Sequence, residues 1–196
     1  MVAKASAPAL RAALGQRSPV LIGLPGVGKS SVGKRLAARL ALPFVDADAE
    51  IEKAAGMTIA EIFRLHGEPA FRDGEARVIA RLLREGPHVI ATGGGAFMRP
   101  ETRAAVAAEG IGIWLDASTD VLLSRIVKRS HRPLFRGVDA RTKLDELRRA
   151  RDPHFAEAPI RVTSSAGPHE RVVSAILTAL TASAEPAAAA RLERPA

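Results

Sequence analysis

The stretch "PVLIGLPGVGKSSVGKRLA", Pro19 to Ala37, contains the pattern G-x-x-x-x-G-K-[ST] between an apolar segment and a segment of helical periodicity. Glycines let such a loop curl so that its backbone N–H groups point inward, towards phosphate oxygens. Lys29 is expected to reach the β- and γ-phosphates, and the hydroxyl of Ser30 is expected to ligate Mg²⁺. The stretch therefore predicts a binding loop for a nucleoside triphosphate, and it leaves the acceptor open.

From this loop onward, strand-like and helix-like segments alternate about five times. This alternation predicts an α/β fold with a five-stranded parallel sheet and helices on both faces. We expect a single domain over residues 18–183, with helix breaks at Gly56 and Gly67. Residues 1–17 are expected to form a flexible N-terminal extension, and the Ala/Pro/Arg-rich residues 184–196 a disordered tail.

The composition favours small anionic partners. The chain has 196 residues and a net charge of +8, which suits nucleotides, carboxylates or nucleic acid. It has no Tyr, one Trp and six Phe, so a surface that stacks single-stranded bases is poorly supported. It has no Cys, which excludes disulfides and thiolate metal sites. No apolar run approaches the roughly 20 residues that span a bilayer, and we expect neither a nucleic-acid nor a membrane partner.

Two carboxylates follow the second predicted strand, in "FVDADAEIE". Asp46 and Asp48 are two residues apart, so they point the same way if the backbone is extended. One is suited to the Mg²⁺ shell and the other to orienting an acceptor hydroxyl. The alternative is that Asp48 caps the next helix. Asp116, which ends the apolar segment "IGIWLD", is a rival metal ligand, but helix capping also explains it, and we favour the pair.

Arginines supply the candidate anion sites. Arg72 and Glu75 have the i, i+3 spacing of a helical pair, either an exposed ion pair worth under about 1 kcal/mol or a fixed fork for a carboxylate. Arg132 and Arg136 lie in the polar loop "HRPLFRG", which suits a lid over phosphates and a solvated basic loop equally. Arg151 lies among several arginines, and composition alone does not single it out.

The segment "ATGGGA" ends the third predicted strand with three consecutive glycines, Gly93, Gly94 and Gly95. Glycine costs conformational entropy, so the run indicates a place where bare backbone is needed.

Six segments in this order resemble the shikimate kinase family over about residues 19–180. They are "GLPGVGKSSVGKRLA", "FVDADAEIE", "IFRLHGEPAFRDGE", "ATGGGA", "RPLF" and "RARDPHF". The resemblance implies a P-loop kinase fold and ATP-dependent phosphorylation of the 3-hydroxyl of shikimate.

On the acceptor side, the resemblance implies that Asp48 contacts the shikimate hydroxyls and acts as the base. Arg72 and Arg151 resemble the pair that binds the shikimate carboxylate. The triple glycine would press its backbone against the ring, with N–H contacts that a Cβ would block.

On the donor side, the resemblance implies ATP as co-substrate with Mg²⁺. Asp46 would reach the Mg²⁺ shell, largely through water, beside Ser30. Arg132 resembles the arginine of a lid over about residues 130–138, and acts in catalysis with Lys29 and Asp48. Arg125 resembles the residue beside the adenine. The expected ATP contacts are Gly26, Val27, Gly28, Lys29, Ser30, Ser31, Arg125 and Arg132.

The chain departs from the family in the turn "TSSAGP", which lacks the basic or amide residue often placed beside the adenine. Two alternatives stay open. One is a kinase of the same architecture for gluconate or a nucleoside monophosphate. The other is a non-catalytic nucleotide-binding module that uses its basic surface on nucleic acid. We expect a cytoplasmic monomer.

Overall fold

The computed structural model describes residues 7–127 and 139–192. Within them, five strands form one parallel sheet in the order β2-β3-β1-β4-β5. The strands are β1 (Ser18–Ile22), β2 (Phe44–Asp46), β3 (Val89–Ala91), β4 (Gly110–Asp116) and β5 (Ile160–Thr163). The helices of the described ranges are α1 (Ala7–Leu14), α2 (Lys29–Leu40), α3 (Ala47–Ala55), α4 (Ile59–Arg84), α5 (Pro100–Glu109), α6 (Thr119–Val127), α7 (Ala140–Phe155) and α8 (His169–Leu192).

The central strands are covered on both faces. Every residue of β1 is buried, as is every residue of β4 except the last. Because successive side chains of a strand point to opposite faces, such continuous burial requires packing on both sides of the sheet. By contrast, β5 alternates between buried and exposed positions, which fits its place at the edge. The predicted α/β fold with a five-stranded parallel sheet is confirmed.

The long helix α4 is bent at Gly67. Its start is fixed by a capping box, in which Thr58 and Glu61 bond to each other's backbone N–H. Gly67 has φ 77° and ψ 172°, a conformation outside the helical region that glycine adopts readily. The sequence predicts a break at this residue, and the break is confirmed. The helix resumes at once, so the two predicted helices are parts of one bent element.

The N-terminal extension, expected to be flexible, is an ordered helix in the part that the structure describes. Residues 7–14 form helix α1, which packs against α2 and α8. Leu10 and Leu14 are only 3% and 4% exposed. Arg11 donates a hydrogen bond of 3.0 Å to the carbonyl of Ala41, at the C-terminal end of α2. The leucines lie four residues apart and face the core together, a pattern that anchors this helix to the domain.

The expected disordered tail is helical in its described part. The tail is expected from residue 184, whereas the backbone of α8 continues to Leu192. The run Ala187–Ala190 explains this continuation, because alanine has the highest intrinsic helix propensity.

Replacement of Leu14 by alanine tests the anchoring of α1. Because Leu14 is 4% exposed, Leu14→Ala should lower the free energy of unfolding by about 2–4 kcal/mol. Urea unfolding measures the change. Leu65, which is 55% exposed, gives the matched control, and Leu65→Ala should cost under about 0.5 kcal/mol. Equal effects of the two substitutions would mean that α1 is not part of the folded domain.

Candidate active site

The loop from Gly23 to Gly28 joins β1 to α2, in the setting that the sequence predicts. Gly28 precedes the first helical residue with φ 104°, in the left-handed region that favours glycine. The Nζ of Lys29 donates hydrogen bonds to the carbonyls of Gly23 and Leu24, at 2.8 and 3.2 Å. The lysine therefore folds back over the loop, and its charge adds to the positive end of the α2 dipole. The loop can attract a phosphate anion.

Asp46 links this loop to the second strand. The hydroxyl of Ser30 donates a hydrogen bond of 2.9 Å to Oδ2 of Asp46. The other oxygen, Oδ1, accepts the backbone N–H of Asp48 at 3.2 Å and so caps α3. Asp46, and not Asp48, is therefore the capping residue, which corrects the alternative considered from the sequence. The helix begins at Ala47, so the backbone is not extended from Asp46 to Asp48, and the condition under which the two side chains would point the same way is not met.

Asp48 lies in the first turn of α3 and points towards the triple glycine. A Cβ on Gly93 would stand 2.9 Å from Oδ1 of Asp48. Burial and the adjacent carboxylate of Asp46 raise the pKa of Asp48, and the positive charge of Lys29 opposes the shift. A carboxylate with a raised pKa beside a phosphate-binding loop is suited to accept a proton from a hydroxyl.

Arg72 is held between two carboxylates of its own helix, α4. Its Nη1 donates to Oε2 of Glu75 at 2.7 Å, and its Nε and Nη2 donate to Glu68 at 3.2 and 3.1 Å. Glu75 is 1% exposed, so the pair is not the exposed ion pair of the alternative interpretation. Burial raises the pKa of Glu75, and Arg72 opposes that shift. Glu68 is a further partner that was not predicted, although its i, i+4 spacing from Arg72 is typical of a helical ion pair.

Arg151 approaches the same glycines from another helix, α7. Its Nη1 donates a hydrogen bond of 2.8 Å to the carbonyl of Gly94. Burial lowers the pKa of Arg151, and the charge of Arg72 lowers it further. Two guanidinium groups that repel each other in a partly buried site gain most from a shared anion. A carboxylate matches their planar forks.

The three glycines leave room for these side chains. A Cβ on Gly94 would stand 3.2 Å from Nη1 of Arg151, and one on Gly95 would stand 2.8–2.9 Å from the three terminal atoms of the Arg72 guanidinium. With Asp48 against Gly93, each glycine therefore faces a different predicted site residue. The sequence "ATGGGA" was expected to mark a place where bare backbone is needed. One reason for that need is that the protein's own side chains approach this backbone closely.

Arg125, expected beside the adenine, reaches the phosphate loop. It donates hydrogen bonds to the carbonyl of Val27 at 2.8 Å, to the hydroxyl of Ser164 at 3.1 Å and to the carbonyl of Ser165 at 2.5 Å. These contacts join the loop to the "TSSAGP" turn, where the sequence departs from the family pattern. Nothing in the sequence alone pointed to Ser164. Arg132, with the predicted lid of residues 130–138, lies outside the described residues.

Asp116, the rival metal ligand, is engaged elsewhere. Its Oδ1 accepts from Arg148 at 2.9 Å and its Oδ2 accepts from Arg161 at 2.6 Å. Within the described residues, Asp46 therefore stays the carboxylate next to Ser30, as favoured from the sequence.

Comparison with known proteins identifies the family. The sequence model of the family described as shikimate kinase matches residues 25–181. The chain belongs to the shikimate kinase family.

Individual relatives of the chain support the same family assignment. A shikimate kinase from Bradyrhizobium diazoefficiens is 55% identical over 170 residues, which cover 87% of this chain and 82% of the relative. One from Caulobacter vibrioides is 56% identical over 169 residues, which cover 86% and 84%. A solved structure of a shikimate kinase from Acinetobacter baumannii in complex with shikimate matches with a TM-score of 0.80 at 31% identity, covering 88% of this chain and 98% of that one. The chain is thus an enzyme, an ATP-using phosphotransferase with the P-loop kinase fold.

The substitution Gly95→Ala tests the close approach of Arg72. The new Cβ would force the guanidinium away from its place, and a displacement of this kind should lower kcat/KM for shikimate by about tenfold or more. Steady-state kinetics at saturating ATP measures the loss.

The control for this substitution is Gly74→Ala. Gly74 lies in α4, and a Cβ there would meet nothing within 4 Å. The variant should keep wild-type kinetics and gain about 0.5–1 kcal/mol of stability. Wild-type kcat/KM in both variants would show that Arg72 does not need the space at Gly95.

Proposed function

We propose that this protein transfers the γ-phosphoryl group of ATP to the 3-hydroxyl of shikimate, and so forms shikimate 3-phosphate and ADP on the route to chorismate and the aromatic amino acids. The observation that carries the proposal is the convergence of Asp48, Arg72 and Arg151 on the triple glycine beside the phosphate loop. Shikimate offers hydroxyls to the first and a carboxylate to the other two.

The two arginines bind the carboxylate and fix the orientation of the ring. Arg72 is held in place by Glu75 and Glu68, so it loses little conformational freedom when a substrate binds. Arg151, which has a lowered pKa, contributes a charge that is incompletely balanced before the substrate arrives. Together they place the ring against the backbone of the glycines.

Asp48 orients the 3-hydroxyl and accepts its proton as the oxygen attacks the γ-phosphorus. The bond to the β,γ-bridging oxygen breaks, and ADP leaves. The raised pKa of Asp48 makes it a stronger base than an ordinary aspartate.

The donor is bound by the loop of Gly26, Val27 and Gly28 and by the first turn of α2. Their backbone N–H groups meet the phosphates. Lys29 exchanges its bonds to the loop carbonyls for phosphate oxygens. In that position it stabilises the charge of the transferring group.

The residues present fit a magnesium ion. Among the described residues no three acidic or His side chains gather to hold a metal. A Mg²⁺ that is bound mainly by phosphates and water needs only one or two protein ligands. Ser30 and Asp46, whose oxygens are 2.9 Å apart, would hold it, Asp46 largely through water. Bound there, it supplies charge neutralisation at the β- and γ-phosphates.

Other parts of the proposal stay predictions. They are the closure of residues 130–138 with Arg132 over ATP, the contact of Arg125 with the adenine, a monomeric state and a cytoplasmic location. In the two ranges that the structure describes, no helix has the length and apolar character to span a membrane.

The release of ADP from MgATP, compared between shikimate, gluconate, CMP and no acceptor, tests the function. A rate that depends on shikimate is expected, and Lys29→Met should reduce it by about two orders of magnitude or more. A comparable rate with gluconate or CMP would overturn the assignment of the acceptor.

The pH dependence of kcat/KM tests the role of Asp48. The base must be deprotonated, and a raised pKa means that it becomes protonated sooner as the pH falls. The activity should therefore decline on the acid side at a higher pH than an ordinary aspartate would give. A pH–rate profile at saturating ATP measures this limb.

The variant Glu52→Gln shows whether the acid limb of the profile comes from Asp48 or from the titration of the substrate. The charge of Glu52 also raises the pKa of Asp48, so its removal should move the acid limb to lower pH. Glutamine keeps an oxygen for the bond that Glu52 accepts from the backbone of Ile59, at 2.9 Å. Because shikimate titrates identically with both enzymes, an unmoved limb would show that the limb does not belong to Asp48.

A further inference from the structure

Helix α7 is fastened to the carboxyl end of the sheet at two points. Arg148 donates to Oδ1 of Asp116, the last residue of β4, at 2.9 Å, and to the carbonyl of Ala117 at 2.5 Å. Arg151, three residues later, donates to the carbonyl of Gly94 in the loop that follows β3. Residues three apart lie on one face of a helix, so both arginines point to the sheet together.

The order of the strands shows where the two contacts of α7 lie relative to the phosphate loop. The strand β1, which leads into the phosphate loop, lies between β3 and β4. By touching the ends of β3 and β4, α7 spans the end of β1. One fastening point belongs to the proposed acceptor site, and the other lies on the opposite side of β1.

The side chain of Asp116 is held in place by its contacts. Its side chain is 14% exposed, and its two oxygens serve arginines from two different elements, Arg148 of α7 and Arg161 of β5. Arg148 is also 3.4 Å from Asp152, one turn further along α7. The guanidinium of Arg161 in turn lies 4.3 Å from the ring centre of Trp114. A half-buried fork with several acceptors holds one orientation of its helix better than an exposed ion pair does.

We propose that Asp116 and Arg148 are positioning residues for the acceptor site. Asp116 holds Arg148, Arg148 sets the rotation of α7 about its axis, and this rotation places the guanidinium of Arg151 against Gly94. The inference rests on the proposed role of Arg151 in binding the substrate carboxylate. Arg148 itself does not touch the substrate.

The effect on binding should be large for a small movement. Misplacing a substrate-binding group by about 1 Å can cost about two orders of magnitude in rate. Arg151 lies near Arg72, which repels it. Once Arg148 no longer fixes α7, this repulsion favours positions of Arg151 further from the carboxylate site.

The test is steady-state kinetics of Arg148→Met with both substrates varied, together with calorimetric titration by shikimate. We expect the KM and the Kd for shikimate to rise about fivefold or more, with kcat and the KM for ATP within about twofold of wild type. A purely structural role would lower the melting temperature and the fraction of active enzyme. It would reduce the apparent kcat and leave the KM for shikimate unchanged.

Two control variants remove other ion pairs, one of Asp116 and one of α7. Arg161→Met removes the other arginine on Asp116 and leaves the contact with Arg148 in place. Arg141→Gln breaks the 2.5 Å ion pair of α7 with Asp120, away from Arg151. Both variants should keep the wild-type KM for shikimate. An equal rise in either of them would overturn the proposal.

The double variant Asp116→Asn/Arg148→Met should raise the KM for shikimate no more than Arg148→Met does, because the two residues act as a unit. If Arg148→Met does not fold, Arg148→Lys is judged by the same criteria, since lysine lacks the fork. A KM for shikimate within about twofold of wild type in the folded variant overturns the inference.

Arg151→Met, measured in parallel, separates this inference from the proposed function. A rise in its KM for shikimate with none in Arg148→Met overturns only the inference. No rise in Arg151→Met overturns the carboxylate assignment, and with it the positioning role.

Discussion

Contact between bare backbone and charged side chains is the constraint on which the acceptor site depends. Asp48, Arg72 and Arg151 come from three different helices, and an atom of each lies 2.8–3.2 Å from where the Cβ of a non-glycine residue at 93, 94 or 95 would stand. The end of β3 therefore acts as a flat surface against which all three are aligned. The phosphate loop leaves the neighbouring strand β1, so these side chains lie beside the predicted donor site.

The charges in the site balance each other only in part. Glu75 is almost fully buried and neutralises one face of Arg72, while Arg151 has the backbone of Gly94 as a hydrogen-bond acceptor and a second guanidinium nearby. Burying these charges costs desolvation energy in the free enzyme. A substrate carboxylate would offset this cost by pairing with the two arginines, and a neutral ring of the same shape would not. In the proposed function, the repulsion between the two guanidinium groups thus favours an anionic acceptor.

The sequence predicted best what is local. The phosphate loop, the break at Gly67 and the pair Arg72–Glu75 each depend on residues within one short segment. The spacing of the two carboxylates already indicated Asp48, whereas only the resemblance to the family indicated Arg151. What was missed depends on contacts between distant segments, such as Asp116 with Arg148, 32 residues apart, and the packing of α1. The geometry of Asp46 and Asp48 was missed because the cap of α3 is Asp46, two residues earlier than the alternative cap, Asp48.

The order of the strands has a consequence for synthesis of the chain on the ribosome. The strand β1 pairs with β3 and β4, whose residues are made about 70 to 90 positions later. Until Asp116 has left the ribosome, the apolar segment Ser18–Ile22 lacks its full set of partners. Long-range parallel pairing of this kind is slow and exposes unpaired edges to aggregation. Folding of the nucleotide site is therefore delayed until more than half of the polypeptide is present.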